Sequence, residues 1–196
     1  MPTPLADSLR RVLLTSQAVQ TLEVRGRTDA AVLVALYVDA GRPHAIFTKR
    51  RDDLRRHPGE ISFPGGRRDA ADPDLEATAL REAEEEIGLP PAAVQVLGAL
   101  QPVPTIVTGY AVYPFVGVIE RRLAWTLSPR EVAAVLELSL DDLQAGYGRR
   151  RLTRRGVPIR TDTYIVGDEL IWGATARILG DLLHRIGPLL AGDASR

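Results

Sequence analysis

The spacing of apolar residues changes several times along the chain, and each spacing predicts an element. Leu5, Leu9, Val12 and Leu13 recur at helical spacing, which predicts a helix over about Pro4 to Leu14. Ala30–Val38 is nine apolar residues without a break, the pattern of a strand buried on both faces. Gly41-Arg42-Pro43 predicts a turn and His44–Thr48 a second strand, so the pair reads as a hairpin. Lys49–Pro58 is polar and charged. Glu60–Phe63 is short and extended, and it leads into Pro64-Gly65-Gly66, a turn or glycine loop.

The second half begins with a helix. Asp72-Pro73 offers a cap and a first-turn proline, and the helix runs to Ile87, where Gly88, Pro90 and Pro91 stop it. Val94–Leu100 and Ala111–Ile119 are strand candidates. Ser128-Pro129-Arg130-Glu131 has capping-box spacing and predicts a short helix. Leu136–Leu140 reads as a strand, and Arg149–Arg155 with Ile159–Val166 as an exposed hairpin around Gly156. Ile178, Leu179, Leu182, Leu183 and Ile186 place a closing helix over Ala174–Ile186. Helices interleaved with hairpin-linked strands predict an α+β class, a mixed sheet between helices.

Length and composition narrow the function. The 196 residues suit a single domain, with a core over about 30–180 and a helix added at each end. With 25 basic and 25 acidic residues the formal charge is zero, so the basic excess of a nucleic-acid binder is missing. Lys49 is the only lysine; every other basic residue is an arginine, so a given arginine is weak evidence for phosphate binding. Without cysteine there are no disulfides, iron–sulfur clusters or zinc–thiolate sites. No apolar run approaches the roughly 20 residues of a membrane helix, and the N-terminus lacks a secretory layout. The expectation is a cytoplasmic protein with no membrane partner. Apolar segments near both ends leave a homodimer open.

Chemistry concentrates in Gly65–Leu89. Glu82, Glu84, Glu85 and Glu86 fall within five positions, and Glu82, Glu85 and Glu86 share one helical face. Carboxylates on one face repel, and the helix C-terminus disfavours them further. A hard divalent cation turns that repulsion into coordination; the bland alternative is a solvated acidic face. Glu131 reads as a cap, or as a loop carboxylate completing a metal site. Asp72 reads as an N-cap, Arg81 as a structural partner for a glutamate, and His57 as a surface histidine.

Arg81-Glu82-Ala83-Glu84-Glu85-Glu86-Ile87-Gly88-Leu89 resembles the end of the Nudix box, R-E-apolar-x-E-E-x-G-apolar. Upstream, Asp72 stands where the box has glutamate, and Arg81 follows one residue late. That departure is similar to the coenzyme A pyrophosphatase branch of the Nudix hydrolases. So are Ile46-Phe47-Thr48, Arg55, Gly59 and Phe63-Pro64-Gly65-Gly66 before the box, with Arg51 replacing a small residue of the pattern. Pro114-Phe115-Val116-Gly117 and Trp172-Gly173-Ala174-Thr175-Ala176 also resemble that branch.

The resemblance implies a Nudix α/β/α sandwich that hydrolyses the pyrophosphate of a coenzyme A-class nucleotide with Mg²⁺ or Mn²⁺. It implies Glu82, Glu85 and Glu86 as metal ligands, joined by the Gly66 carbonyl. One of that set, Glu82 or Glu85 among them, is the candidate general base. Arg55, Arg51, Phe63 and Gly65 are the implied substrate-binding residues, with Arg50 and Arg56 competing for the phosphate. ADP-ribose, NADH or another nucleoside diphosphate derivative is the rival substrate, and a catalytically silent binding domain the rival class.

Overall fold

Two apolar faces of one strand organise the molecule. In the computed structural model, which describes residues 4–22, 24–54, 57–105, 109–121, 124–154 and 157–193, this strand is β1 (Thr28–Asp39). Ala31, Leu33, Ala35 and Tyr37 face one core; Ala30, Val34 and Leu36 face another. The period-2 alternation is therefore apolar on both sides, as expected of a central strand.

Around it are β2 (Arg42–Arg50), β3 (Ile61–Ser62), β4 (Gly65–Arg67), β5 (Gln95–Ala99), β6 (Val103–Pro104), β7 (Tyr110–Val118) and β8 (Val132–Ser139). The sheet runs β3-β2-β1-β7-β5, with β4 on β1, β6 on β7 and β8 on β2. β1 and β7 are parallel and the other pairs antiparallel, so the sheet is mixed. A smaller sheet of β9 (Tyr147–Arg154), β10 (Val157–Val166) and β11 (Glu169–Trp172) stands beside it.

Of the helices, α1 (Pro4–Val12), α2 (Ser16–Gln20), α3 (Leu75–Ile87), α4 (Leu140–Ala145) and α5 (Gly173–Asp193) are described. On α3, Leu75, Ala79, Ala83 and Ile87 repeat every four residues and are buried against Leu33, Ala35 and Phe115. The two alanines let the helix lie close to the sheet. On the opposite face, Leu9, Leu143, Leu179, Leu182 and Ile186 of α1, α4 and α5 cover Val34, Phe47 and Val116. This is the expected α+β sandwich with helices on both sides of a mixed sheet.

Several elements differ from expectation. Asp74, not Asp72, caps α3: its carboxylate accepts from Ala77 N at 2.8 Å. Asp72 is instead drawn into an ion pair inside the protein. Ser128–Glu131 forms a turn, not a helix. Its Ser128 N–H donates to Glu86 O at 2.9 Å, and Thr126 N–H to Ile87 O at 3.2 Å. The unpaired carbonyls at the end of α3 thus claim the segment that local capping would have made helical. Gly65 and Gly66 belong to β4, paired with Val32 and Ala31, rather than to a free loop. The hairpin after β1 turns on Ala40-Gly41, both with positive φ, so Arg42 and Pro43 start β2. The short helix α4, capped by Ser139, and strand β11 were not anticipated.

Candidate active site

The last turns of α3 carry two charged clusters side by side. In the first, Arg81 donates to both oxygens of buried Asp72, at 2.9 and 3.0 Å. It also reaches the Arg67 carbonyl at 3.2 Å, Glu82 at 2.9 Å and Glu85 at 3.2 Å. Thr78 donates to Asp72 at 2.9 Å. The Arg81 guanidinium, above all, holds the Asp72 carboxyl well below the usual carboxylate range. Arg81 is the structural residue that the sequence suggested, although its main partner is an aspartate.

The second cluster has no such balance. Glu86 is only 8% exposed and its carboxylate accepts from Gly65 N–H at 3.3 Å. Burial, with the neighbouring charge of Glu82, pushes its carboxyl up to about 8. Glu82 is also raised, first by burial and against the pull of Arg81. Glu131 adds negative potential to both. Glu131 itself pairs with Arg50 at 3.4 Å. Arg50 Nε is buried without a hydrogen-bond partner, alone in this among the side-chain nitrogens and oxygens of the described residues.

Gly66 makes room for the cluster, and Gly65 lets β4 lie close to β1. A Cβ on Gly66 would lie 2.5 Å from the Glu82 carboxyl carbon. One on Gly65 would lie 2.3 Å from Ala31 O. A side chain at Gly66 would fill the space that the Glu82 carboxylate occupies, whereas one at Gly65 would run into the backbone of β1 and part β4 from it.

The other nominated residues lie as follows. Glu85 is turned to solvent, its side chain 60% exposed and paired with Arg81, and its charge adds to the negative potential at Glu82. Among the described residues no three Asp, Glu or His side chains are gathered tightly enough to hold an ion. Arg51 is engaged with Asp53 at 2.7 and 2.9 Å and with the Pro129 carbonyl. Phe63 is buried and stacks on Phe47 at 4.5 Å between centroids. It fixes the path into Gly65 from the core. Arg55 and Arg56 lie outside the described residues. His57, expected at the surface, is half-buried and pairs with Glu60.

Comparison with known proteins decides the family. The NUDIX domain family model matches residues 27–156. The chain belongs to the Nudix family. Relatives from Salmonella paratyphi B and Salmonella newport, each described as an uncharacterized Nudix hydrolase NudL, are 43% identical over 169 residues. The match covers 85% of this chain and 87% of theirs. A Caenorhabditis Ap4A hydrolase binary complex (C. elegans) superposes with a TM-score of 0.55 at 17% identity, over 84% of this chain and 98% of that one. A MutT/nudix family protein from Enterococcus faecalis reaches 0.57 at 15% identity, over 95% and 70%. These two show the shared fold.

As a Nudix hydrolase the protein acts on a nucleoside diphosphate linked to a second group, in a family that generally uses divalent ions such as Mg²⁺ or Mn²⁺. Its residues fit such an ion on their own terms. Buried Glu86 and partly buried Glu82 repel each other, burial raises both carboxyls, and Gly66 leaves no room for a Cβ beside Glu82. No described helix is long and apolar enough to cross a membrane.

Proposed function

We propose that the protein hydrolyses the pyrophosphate of coenzyme A or its acyl or oxidised derivatives. The 196 residues act as one domain around the α3 site. One water is consumed and one P–O bond of the pyrophosphate breaks. The products are adenosine 3′,5′-bisphosphate and 4′-phosphopantetheine or its derivative, each keeping one phosphate of the broken pair.

The observation that carries the chemistry is the pair Glu82–Glu86 beside Gly66, whose carboxyls burial raises although Arg81 touches Glu82. These two residues, with the Gly66 carbonyl, would hold the divalent ion; Glu85 and Glu131 are the nearest further carboxylates on α3 and in the adjoining turn. Such an ion would neutralise phosphate charge and would lower the pKa of water. A carboxylate of this group not engaged with the ion takes the proton of the attacking water. Arg50, with its unpaired buried Nε and its place beside Glu131, is suited to face phosphate oxygens. Arg81 with Asp72 fixes the register of α3 against β4, so that Glu82 stays over Gly66.

The substrate assignment rests on the segment from Ile46 to Gly66. It forms β2, β3 and β4 and leads directly into the carboxylates. Its Phe63-Pro64-Gly65-Gly66 run is the part of the coenzyme A signature that touches the site, through the Gly65 bond to Glu86.

The test is product analysis with coenzyme A and ADP-ribose, each with Mg²⁺, with Mn²⁺ and with chelator. Metal-dependent release of adenosine 3′,5′-bisphosphate from coenzyme A, with ADP-ribose largely spared, is the expected result. Turnover of ADP-ribose alone would keep the carboxylate site and discard the substrate. No turnover of either would remove both.

A further inference from the structure

The turn that carries Glu131 is held from two sides. It is closed on itself, because Ser128 O accepts from Glu131 N–H at 3.2 Å and from Val132 N–H at 3.0 Å. The last carbonyls of α3 hold one side, through Ser128 and Thr126. Arg51, the residue after β2, holds the other. Its N–H donates to Glu131 O at 3.0 Å, and its Nη1 donates to Pro129 O. Nε and Nη2 donate to the two oxygens of Asp53 at 2.9 and 2.7 Å, which fixes the plane of the guanidinium. The β2–β8 register prepares this contact. It shifts between Lys49 and Arg50, so that Arg50 lies opposite Val132 rather than Ala133. Such a bulge re-aims the chain, and here it brings the Glu131 backbone opposite Arg51.

The clamp works against a repulsion. Glu131 adds negative potential to both Glu82 and Glu86. Its side chain is 53% exposed, with Arg50 as its ion-pair partner at 3.4 Å. A half-exposed carboxylate facing two others is driven toward solvent. Its place therefore depends on what holds its backbone. Arg51 stands where the coenzyme A pattern has a small residue, and a small side chain would reach neither Pro129 nor Asp53.

Resting on the reading of the α3 carboxylates as the hydrolytic site, whichever nucleotide is bound there, we infer that Arg51 is a positioning residue: it clamps the 128–131 turn to the end of β2 and so keeps the Glu131 carboxylate beside Glu82 and Glu86, where it contributes to the chemical step. Arg51 acts on turnover through Glu131 and not by touching substrate.

The experiment is a double-mutant cycle of Arg51→Ala and Glu131→Gln. It reads kcat and KM on whichever of coenzyme A and ADP-ribose the wild-type protein hydrolyses. Glu131→Gln should lower kcat about 10²-fold. Arg51→Ala should lower kcat about tenfold with KM within about twofold, and it should have no further effect in the Glu131→Gln protein. A change that only loosens the fold lowers kcat by the same factor in both backgrounds. Hydrogen exchange of the ion-free protein gives a readout without turnover. Arg51→Ala should speed exchange of the Glu131 and Val132 amides about tenfold and leave the α3 amides unchanged. A raised KM with kcat kept makes Arg51 a substrate contact and overturns the inference. So does an unchanged kcat, a cycle whose factors multiply, or unchanged exchange in the turn. Full turnover by Glu131→Gln, with turnover lost in Glu82→Gln, overturns the inference and leaves the α3 site in place. Full turnover by Glu82→Gln removes that site and this inference with it.

Discussion

Two charged clusters share the end of α3, and they are built on opposite terms. Arg81 and Asp72 are matched: every oxygen of the buried carboxylate is used, and the guanidinium has partners on three sides. Glu82 and Glu86 are under-matched: Glu82 shares Arg81 with Asp72 and Glu85, Glu86 accepts from a backbone N–H, and burial still raises both carboxyls, with Glu131 adding negative charge nearby. A matched buried pair secures a fold, because removing either partner strands the other. Carboxyls raised by burial and by each other oppose folding, and they suit a ligand of opposite charge such as the proposed ion. The scaffold and the site are therefore distinguishable by charge balance, although they meet at the Arg81–Glu82 contact.

The sharpest way to break this contrast is Glu86→Gln. Turnover should fall on the order of 10³-fold, while the melting temperature stays level or rises, because a like-charge repulsion has been removed. Loss of stability together with activity would place Glu86 in the scaffold. Next is Gly66→Ala. The added Cβ displaces the Glu82 carboxylate it would meet at 2.5 Å, and turnover should fall about 10²-fold in protein that still folds.

Asp72→Asn should do the reverse. It should lower unfolding stability by roughly 2 kcal/mol, read by denaturant titration, with turnover per folded molecule within a few-fold of wild type. The pH dependence has a definite sign. The Asp72 carboxyl titrates lower in the folded protein than the roughly 3.9 of an unfolded chain. Its contribution is complete above that value and is lost as pH falls through the acid range. The stability gap between wild type and variant should thus narrow from pH 6 to pH 3; a gap that widens would remove the ion pair from the scaffold. Smallest is Glu169→Gln, which frees Lys49 from its partner. Both side chains are partly exposed, so the fall in melting temperature should be the smallest of the set.

Much of the frame could be read from local pattern. The unbroken Ala30–Val38 run is the two-faced central strand, and the Leu75, Ala79, Ala83, Ile87 repeat is the buried stripe of α3. Gly88 stops that helix in the left-handed conformation. Misreadings fall where a distant partner outbids a local one. Asp72 looks like a cap until Arg81, nine residues on, takes its carboxylate. Ser128-x-x-Glu131 looks like a capping box until the end of α3 takes its N–H groups.

By itself the sequence determined the element types, the placement of glutamates at the end of one helix and the small residues that must face them. These depend on spacing within a few residues, where helix and strand periods act. Only the tertiary structure decided which carboxylates are buried, that Glu131 adds its charge to theirs, and that Arg51 reaches the turn that carries Glu131. Each of these depends on desolvation and on charges brought together from distant parts of the chain, and neither quantity exists until the sheet has closed against its helices.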